Sequence, residues 1–408
     1  MVVGVGFLIA FSSGPGQSYV FSVFLDSIID DTGLSRTAVS ALYAVGTGVS
    51  AVMVAIVSRM ADRFGPRKVV IFVAAAMAGA CFGMSVASGF VAFFLAFAAL
   101  RALGQGSTPI NATLMTAQWF VAKRGRAMAV MGMGFAASLA LLPPISRLLI
   151  DTVGWREAYA LLGVLVLVLV IPSSFFFARD TPEEMGLHPD GYEHPPLNEP
   201  APGAAGSGAP NRGVLTSWTF WALALSLTTS PFVVTALVFH QTGIFDERGV
   251  GAGVAAAVFV PYAIANALSS AASGVVVDRT GPKPVFVGAM LLLLVALGLS
   301  RLINGEPSAV VYASMLGTAG GLQRIVSSVI WAHYYGRQGL GRIQGSATSI
   351  MITMSALGPL PLAALEGATG SYDLGIGLMA AMPVLSIAGV LVARTSVKQH
   401  ADPLPLPS

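Results

Sequence analysis

The sequence predicts an all-α membrane protein of twelve transmembrane helices in two pseudo-symmetric six-helix bundles. Three observations carry that expectation: an apolar, charge-poor composition, twelve apolar runs of spanning length, and an internal repeat at a single offset. Of 408 residues, 55% are hydrophobic and 10% are charged, with a mean hydropathy of +0.77. A soluble domain carries about 25% charged residues, so lipid must cover much of this surface.

A spanning helix needs about 20 apolar residues. Runs of that kind cover 2–25, 38–58, 69–87, 91–118, 127–149, 156–178, 218–242, 252–275, 285–302, 309–334, 344–365 and 374–393. The first has no basic flank of the kind a secretory signal requires, so it reads as a spanning helix. Because it begins at once, a short cytoplasmic tail is expected to be missing ahead of it. Between the sixth and seventh runs the text turns polar and rich in Pro and Gly, as a flexible linker does. The expected division is 1–178 for the first bundle, 179–216 for a cytoplasmic linker, and 217–408 for the second bundle with a short tail.

Charge sets the orientation. One set of loops holds Arg59, Arg63, Arg67, Lys68, Lys123, Arg124, Arg126, Arg279, Lys283 and Arg337. The opposite set holds Arg36, Arg156 and Arg248 among Asp26, Asp30, Asp31, Asp151, Asp246, Glu247, Glu306 and Asp373. These are called the basic and acidic ends below. The positive-inside rule places the basic end, both termini and the linker in the cytoplasm, and the membrane is expected to be the cell inner membrane.

The halves repeat at an offset of 216 residues. Phe11-Ser-Ser-Gly-Pro15 falls on Leu227-Thr-Thr-Ser-Pro231, Gly33 on Gly249, and Asp62-Arg63-Phe-Gly65-Pro66 on Asp278-Arg279-Thr-Gly281-Pro282. Pro143 falls on Pro359 and Gly154 on Gly370. A parallel repeat of six helices is a transporter architecture.

Several functions are excluded or disfavoured. The basic residues form no aromatic-interleaved patch, so no nucleic acid is expected. Cys81 is the only cysteine, which rules out an intrachain disulfide and a cysteine metal cluster. No phosphate-binding G-x-x-x-x-G-K-S/T loop and no H-E-x-x-H spacing occur, so neither ATP drive, a metal nor a cofactor is expected, and the chain does not read as an enzyme.

The paired loops resemble the signature G-x-x-x-D-R-x-G-R-R/K of the major facilitator superfamily. The first copy runs Ser58-Arg-Met-Ala-Asp62-Arg63-Phe-Gly65-Pro66-Arg67-Lys68, with serine in place of the leading glycine. The second runs Gly274-Val-Val-Val-Asp278-Arg279-Thr-Gly281-Pro-Lys283. Arg101-Ala-Leu-Gly104-Gln-Gly106 is similar to that family's fourth-helix arginine motif. The resemblance covers the chain and implies the major facilitator fold. It also implies a cytoplasmic latch at Asp62, Arg63, Gly65, Arg67, Asp278, Arg279 and Gly281, with Asp62 capping a helix in the other half. A pure topology signal is the alternative for these charges. Leu34-Ser-Arg-Thr-Ala-Val-Ser40, Trp119-Phe-Val-Ala-Lys-Arg124-Gly-Arg126-Ala, Gly154-Trp-Arg156 and Gly370-Ser-Tyr372 look like the monocarboxylate transporter and oxalate–formate antiporter branch. The eighth run departs from that branch: it has no charge, and Asn266 is its most polar deep residue.

Two arginines lie deep within apolar runs, away from the run ends: Arg101 in the fourth and Arg324 in the tenth. A cation near mid-membrane costs about 3 kcal/mol on insertion scales, so each must face a cavity or a partner. The run interiors hold no Asp or Glu, and unpaired buried cations favour an anionic ligand. For Arg101 the alternative is a packing role bonded to carbonyls and hydroxyls, and for Arg324 a gate or snorkelling role. Gln105, Thr108 and Asn111 continue a polar stripe from Arg101 at helical spacing. Gln323, Ser13, Gln17 and Thr229 add further amides and hydroxyls, which either bind substrate or bond their own helices. His240, at the outer end of the seventh run, is a candidate for carrying a coupling proton, with an interfacial role as the alternative.

The expected function is secondary transport of a small organic anion, a monocarboxylate by resemblance, through alternating access with proton coupling or exchange. Efflux of amphipathic compounds and a non-transporting membrane sensor of the same fold are the alternatives. The expected partners are the anionic substrate, protons and the lipid bilayer, with a monomer sufficient for the fold.

Overall fold

The computed structural model describes residues 1–120, 124–182, 185–187, 214–335 and 340–393. The chain forms twelve helical spans, α1–α12. The first bundle holds α1 (Val2–Phe11 and Ser18–Thr32, joined by a 3-10 turn at Gly14–Gly16), α2 (Arg36–Phe64), α3 (Pro66–Val86), α4 (Gly89–Leu100, a π-helical turn Arg101–Ser107, and Thr108–Trp119), α5 (Arg124–Val153) and α6 (Trp155–Phe177). The second holds α7 (Trp218–Phe239, then Gln241–Glu247), α8 (Ala252–Ala257 and Phe259–Thr280), α9 (Pro282–Ser300), α10 (Glu306–Tyr335), α11 (Leu340–Leu357 and Pro359–Thr369) and α12 (Asp373–Met379 and Ala381–Val392). Most of the expected linker, 188–213, lies outside the described residues.

Among the described residues, nine helical stretches are long and apolar enough by composition to cross a bilayer. Two of the spans outside that set have physical reasons to be. α1 is broken at Ser12–Gln17 into pieces of 10 and 15 residues. α10 carries charge and small polar residues, including Arg324 and His333.

The repeat reappears in the backbone. Gly33 and Gly249 have φ of 68° and 70°, Gly65 and Gly281 of 85° and 81°, and Gly154 and Gly370 of 92° and 73°. These are left-handed conformations that favour glycine. In the paired loops the glycine is followed by Pro66 or Pro282 at the first turn of a helix, where proline loses no intrahelical bond.

Each bundle is fastened at its basic end by the residue after that proline. The backbone N–H of Arg67 donates to Asp180 Oδ1 at 2.8 Å. Its side chain donates to the carbonyls of Ser174 at 3.3 Å and Phe175 at 2.5 Å, at the end of α6. In the second bundle Lys283 Nζ donates to the carbonyl of Ala393, just past α12, at 2.9 Å. Cations here satisfy helix C-terminal carbonyls and oppose the negative end of the helix dipole.

The bundles meet along α1–α7, α2–α11 and α5–α8. At the acidic end the seam is closed by aromatic pairs: Phe21 to Phe239 at 5.6 Å, Tyr43 to Phe239 at 4.7 Å, and Tyr19 to Phe259 at 6.4 Å between ring centroids. Among the described residues, two hydrogen bonds cross there, Thr242 Oγ1 to the Ser22 carbonyl at 2.7 Å and Thr37 Oγ1 to the Ala363 carbonyl at 3.4 Å.

Candidate functional site

A cavity of about 830 Å³ extends from mid-depth, at Ser230 and Tyr262, toward the basic end, at Trp331 and Gln344. Its lining comes from α7, α8, α10 and α11, and includes Asn266, Gln323 and Arg324. No carboxylate is among these lining residues. Arg324 is exposed to the cavity, and its Nη2 donates to Asn266 Oδ1 at 3.2 Å. Asn266 is fixed in turn by donating from Nδ2 to the Gly317 carbonyl at 3.1 Å. The guanidinium is therefore oriented by a neutral amide, and its charge is not cancelled.

Local sequence explains this placement. Gly320 and Gly321 let α10 lie against α8: a Cβ on Gly320 would sit 2.9 Å from Asn266 Nδ2, and one on Gly321 would sit 3.0 Å from the backbone N of Ser270. Gln323, the neighbour of Arg324, donates to the Leu227 carbonyl at 3.2 Å. Its buried Oε1 has no hydrogen-bond partner from the protein.

The other expected binding residues are distributed elsewhere. Arg101 is 1% exposed and does not line the cavity. Nη1 donates to the Gly16 carbonyl at 2.7 Å, Nη2 to Tyr43 Oη at 3.1 Å, and Nε to Thr47 Oγ1 at 3.2 Å. Nη2 also contacts Gln105 Oε1, and the guanidinium carbon lies 4.3 Å from the Tyr43 ring centroid. In this conformation Arg101 has the surroundings of a packing arginine.

The stripe expected on α4 is split. The π-helical turn at Arg101–Ser107 widens the helix, so residues before and after it no longer share one face. Arg101 and Gln105 meet α2, whereas Thr108 and Asn111 border a small void with Ile9, Ser12 and Val70. Thr108 Oγ1 donates to the Leu103 carbonyl at 2.8 Å, five residues back, and Asn111 Nδ2 to the Ser107 carbonyl at 2.8 Å.

Ser13 donates to Ala10 in its own helix at 2.7 Å, and Gln17 donates to the Gly104 carbonyl at 3.1 Å. Thr229 turns to α12, where its hydroxyl lies 2.5 Å from Ser386 Oγ. None of the three lines the cavity. The hydroxyls that do, on α7 and α11, are Ser230, Thr235, Thr348, Ser349, Thr353 and Ser355. Those on α11 recur at helical spacing after Gln344, which was a legible signal.

In the paired loops, Arg67 clasps α6 within its own bundle rather than bridging the halves, because the bundles meet at the acidic end. Arg63, Asp278 and Arg279 are exposed. The side chain of Asp62 lies outside the described residues. Gly65 and Gly281 serve as the left-handed turns described above.

Two helical bundles spanning a bilayer, with a cavity at mid-depth between closed and accessible ends, define a multi-pass membrane carrier. The chain belongs to the Major Facilitator Superfamily, whose match spans residues 6–359; its members are transporters and not enzymes. It is 26% identical to the Probable sulfoacetate transporter SauU of Cupriavidus necator, over 95% of this chain and 94% of the relative. It is 23% identical to the uncharacterized transporter YbcL of Bacillus subtilis, over 73% of this chain and 71% of the relative. Among solved structures it is similar to a bacterial homolog of the human lysosomal transporter Spinster, in an inward-facing and unoccupied conformation. The TM-score there is 0.70 at 17% identity, covering 95% of this chain and 91% of that one.

Proposed function

We propose that this protein is a secondary transporter of a small organic anion, with Arg324 as the cation that receives it. The carrying observation is a guanidinium exposed in a cavity whose lining has no carboxylate, held by the neutral amide of Asn266. A fixed cation without a countercharge binds anions and repels cations. The similarity to a relative named for sulfoacetate, itself an organic anion, supports the same class.

The first substrates to test are monocarboxylates, moved with protons or by exchange. The bundles 1–178 and 217–408 rock about the site, with 179–216 as the cytoplasmic linker. The basic end faces the cytoplasm of an inner membrane, and the chain acts as a monomer. The paired loops at Asp62 and Asp278 latch the basic end when it closes. In the alternate conformation Arg101, Gln105, Thr108, Asn111, Ser13, Gln17 and Thr229 complete the site.

The test is uptake of labelled lactate, pyruvate, acetate, oxalate, formate and sulfoacetate into proteoliposomes, with and without a proton gradient or a trapped second anion. Transport of at least one acid, lost in Arg324→Ala, is the expected result. Equal uptake by parent and Arg324→Ala would sink the assignment of this arginine.

A further inference from the structure

At the acidic-end seam, three side chains from both bundles, those of Arg36, His240 and Tyr372, converge beside Gly243. His240, which ends the long segment of α7, is 0% exposed. Its Nε2 lies 3.0 Å from the Pro359 carbonyl. A carbonyl only accepts, so Nε2 carries the hydrogen of the neutral ring and Nδ1 is left as a bare acceptor. Nδ1 is buried and has no hydrogen-bond partner from the protein. The same holds for Arg36 Nη1, which reaches in from α2 of the first bundle, and for the Tyr372 hydroxyl. A Cβ on Gly243 would sit 2.6 Å from Tyr372 Oη and 3.0 Å from Arg36 Nη1, so the two donors flank this glycine in a space with no room for another group.

The charges around the cluster are few. Arg36 Nη2 pairs with Asp26 of α1 at 2.6 Å. Glu366 of α11 acts on both Arg36 and Tyr372, and Glu247 of α7 acts on Tyr372. The charge acting on the His240 ring is that of Arg36, and it opposes a positive imidazole. No carboxylate bonds Nδ1.

We propose that His240 is a proton-binding gate residue: a proton taken up at Nδ1 sets a second cation against Arg36 and favours parting of the bundles at the acidic end. In the closed seam a protonated ring has a buried N–H with no protein acceptor, and a like charge facing it. Parting carries Arg36 and Asp26 away with the first bundle, while His240, Glu366, Glu247 and Tyr372 stay with the second. Both cations then meet water. A proton that binds the parted state better must shift the equilibrium toward it. Low pH therefore opens the acidic end and high pH closes it. This inference rests on alternating access but not on any substrate.

The test measures the gate directly, without substrate. Spin labels are placed at the acidic end, one per bundle, through Ser88→Cys and Leu302→Cys in a Cys81→Ala background. Inter-label distances are then read by pulsed electron resonance in purified protein between about pH 8 and about pH 4, a window running from above the ordinary imidazole range to well below it, because burial disfavours the charged ring. The parent should gain a longer-distance population as pH falls. His240→Gln keeps a donor for Pro359 but cannot ionise, and should stay short-distance throughout. Arg36→Gln removes the opposing charge and should give a smaller pH response than the parent. A parent whose distances ignore pH would overturn the proposal. So would a His240→Gln variant with the parent's full response. These outcomes are separable from a failure of anion uptake, which would touch only the substrate assignment.

Discussion

Arg101 Nη1 lies 2.7 Å from the carbonyl of Gly16, tying the π-helical turn of α4 to the break in α1. The two backbones touch here: a Cβ on Gly104 would sit 2.6 Å from Gly16 Cα. The arginine satisfies a carbonyl freed by the break, and its remaining donors reach α2 and Gln105. Removing it orphans the buried Gly16 carbonyl and takes a donor from Tyr43 Oη and Gln105 Oε1, while the Thr47 hydroxyl keeps its bond to the Tyr43 carbonyl. Arg101→Ala should cost about 3 kcal/mol of stability, seen as a lower thermal midpoint in detergent. An unchanged midpoint would show that the bonds around Arg101 carry no net weight.

The turn at Gly65 tests the clasp of the first bundle. Its φ of 85° suits glycine, and a Cβ would sit 2.5 Å from Asp180 Oδ1. Gly65→Ala combines backbone strain with displacement of the carboxylate that caps α3, and should destabilise by about 2 kcal/mol. Asp180→Asn keeps an acceptor and should cost less. The order of the two variants in thermal unfolding is the check.

Asn266→Asp places a negative charge on the acceptor that holds Arg324. The resulting ion pair competes with a bound anion, so affinity should fall by at least about tenfold, or 1.4 kcal/mol, with the fold intact. Titration of the purified protein with a transported acid measures it. Affinity equal to the parent's would mean that Arg324 does not meet the anion.

Gly320→Ala acts on the same pair from behind. Its methyl would crowd Asn266 Nδ2 at 2.9 Å and turn the amide off Arg324. A loss of about fivefold in affinity, near 1 kcal/mol, with little change in thermal midpoint is expected. A large drop in midpoint with unchanged affinity would instead mark Gly320 as a packing residue only.

Much of the fold was legible because it follows from length and periodicity. The runs located the helices, and one offset located the repeat that the matched left-handed glycines then display. The site was legible in part. Arg324, Gln323 and Asn266 stood out as polar residues in apolar text, and they line one cavity. The fate of Arg101 was not legible, since a packing arginine and a binding arginine are written alike. Nor was the split of the α4 stripe, because one π-helical turn shifts every later side chain without a mark in the spacing. The seam at Arg36, His240 and Tyr372 needed contacts between residues more than 100 positions apart.

The clasps at Arg67 and Lys283 have a mechanical consequence. Each fastens the start of a bundle's third helix to the end of its sixth, so a bundle is a closed hoop rather than an open fan. A force applied at one rim returns through the clasp instead of dissipating in a loop. Deformation is then driven into the seam between the two hoops, where the aromatic pairs and the crossing hydrogen bonds are few enough to exchange.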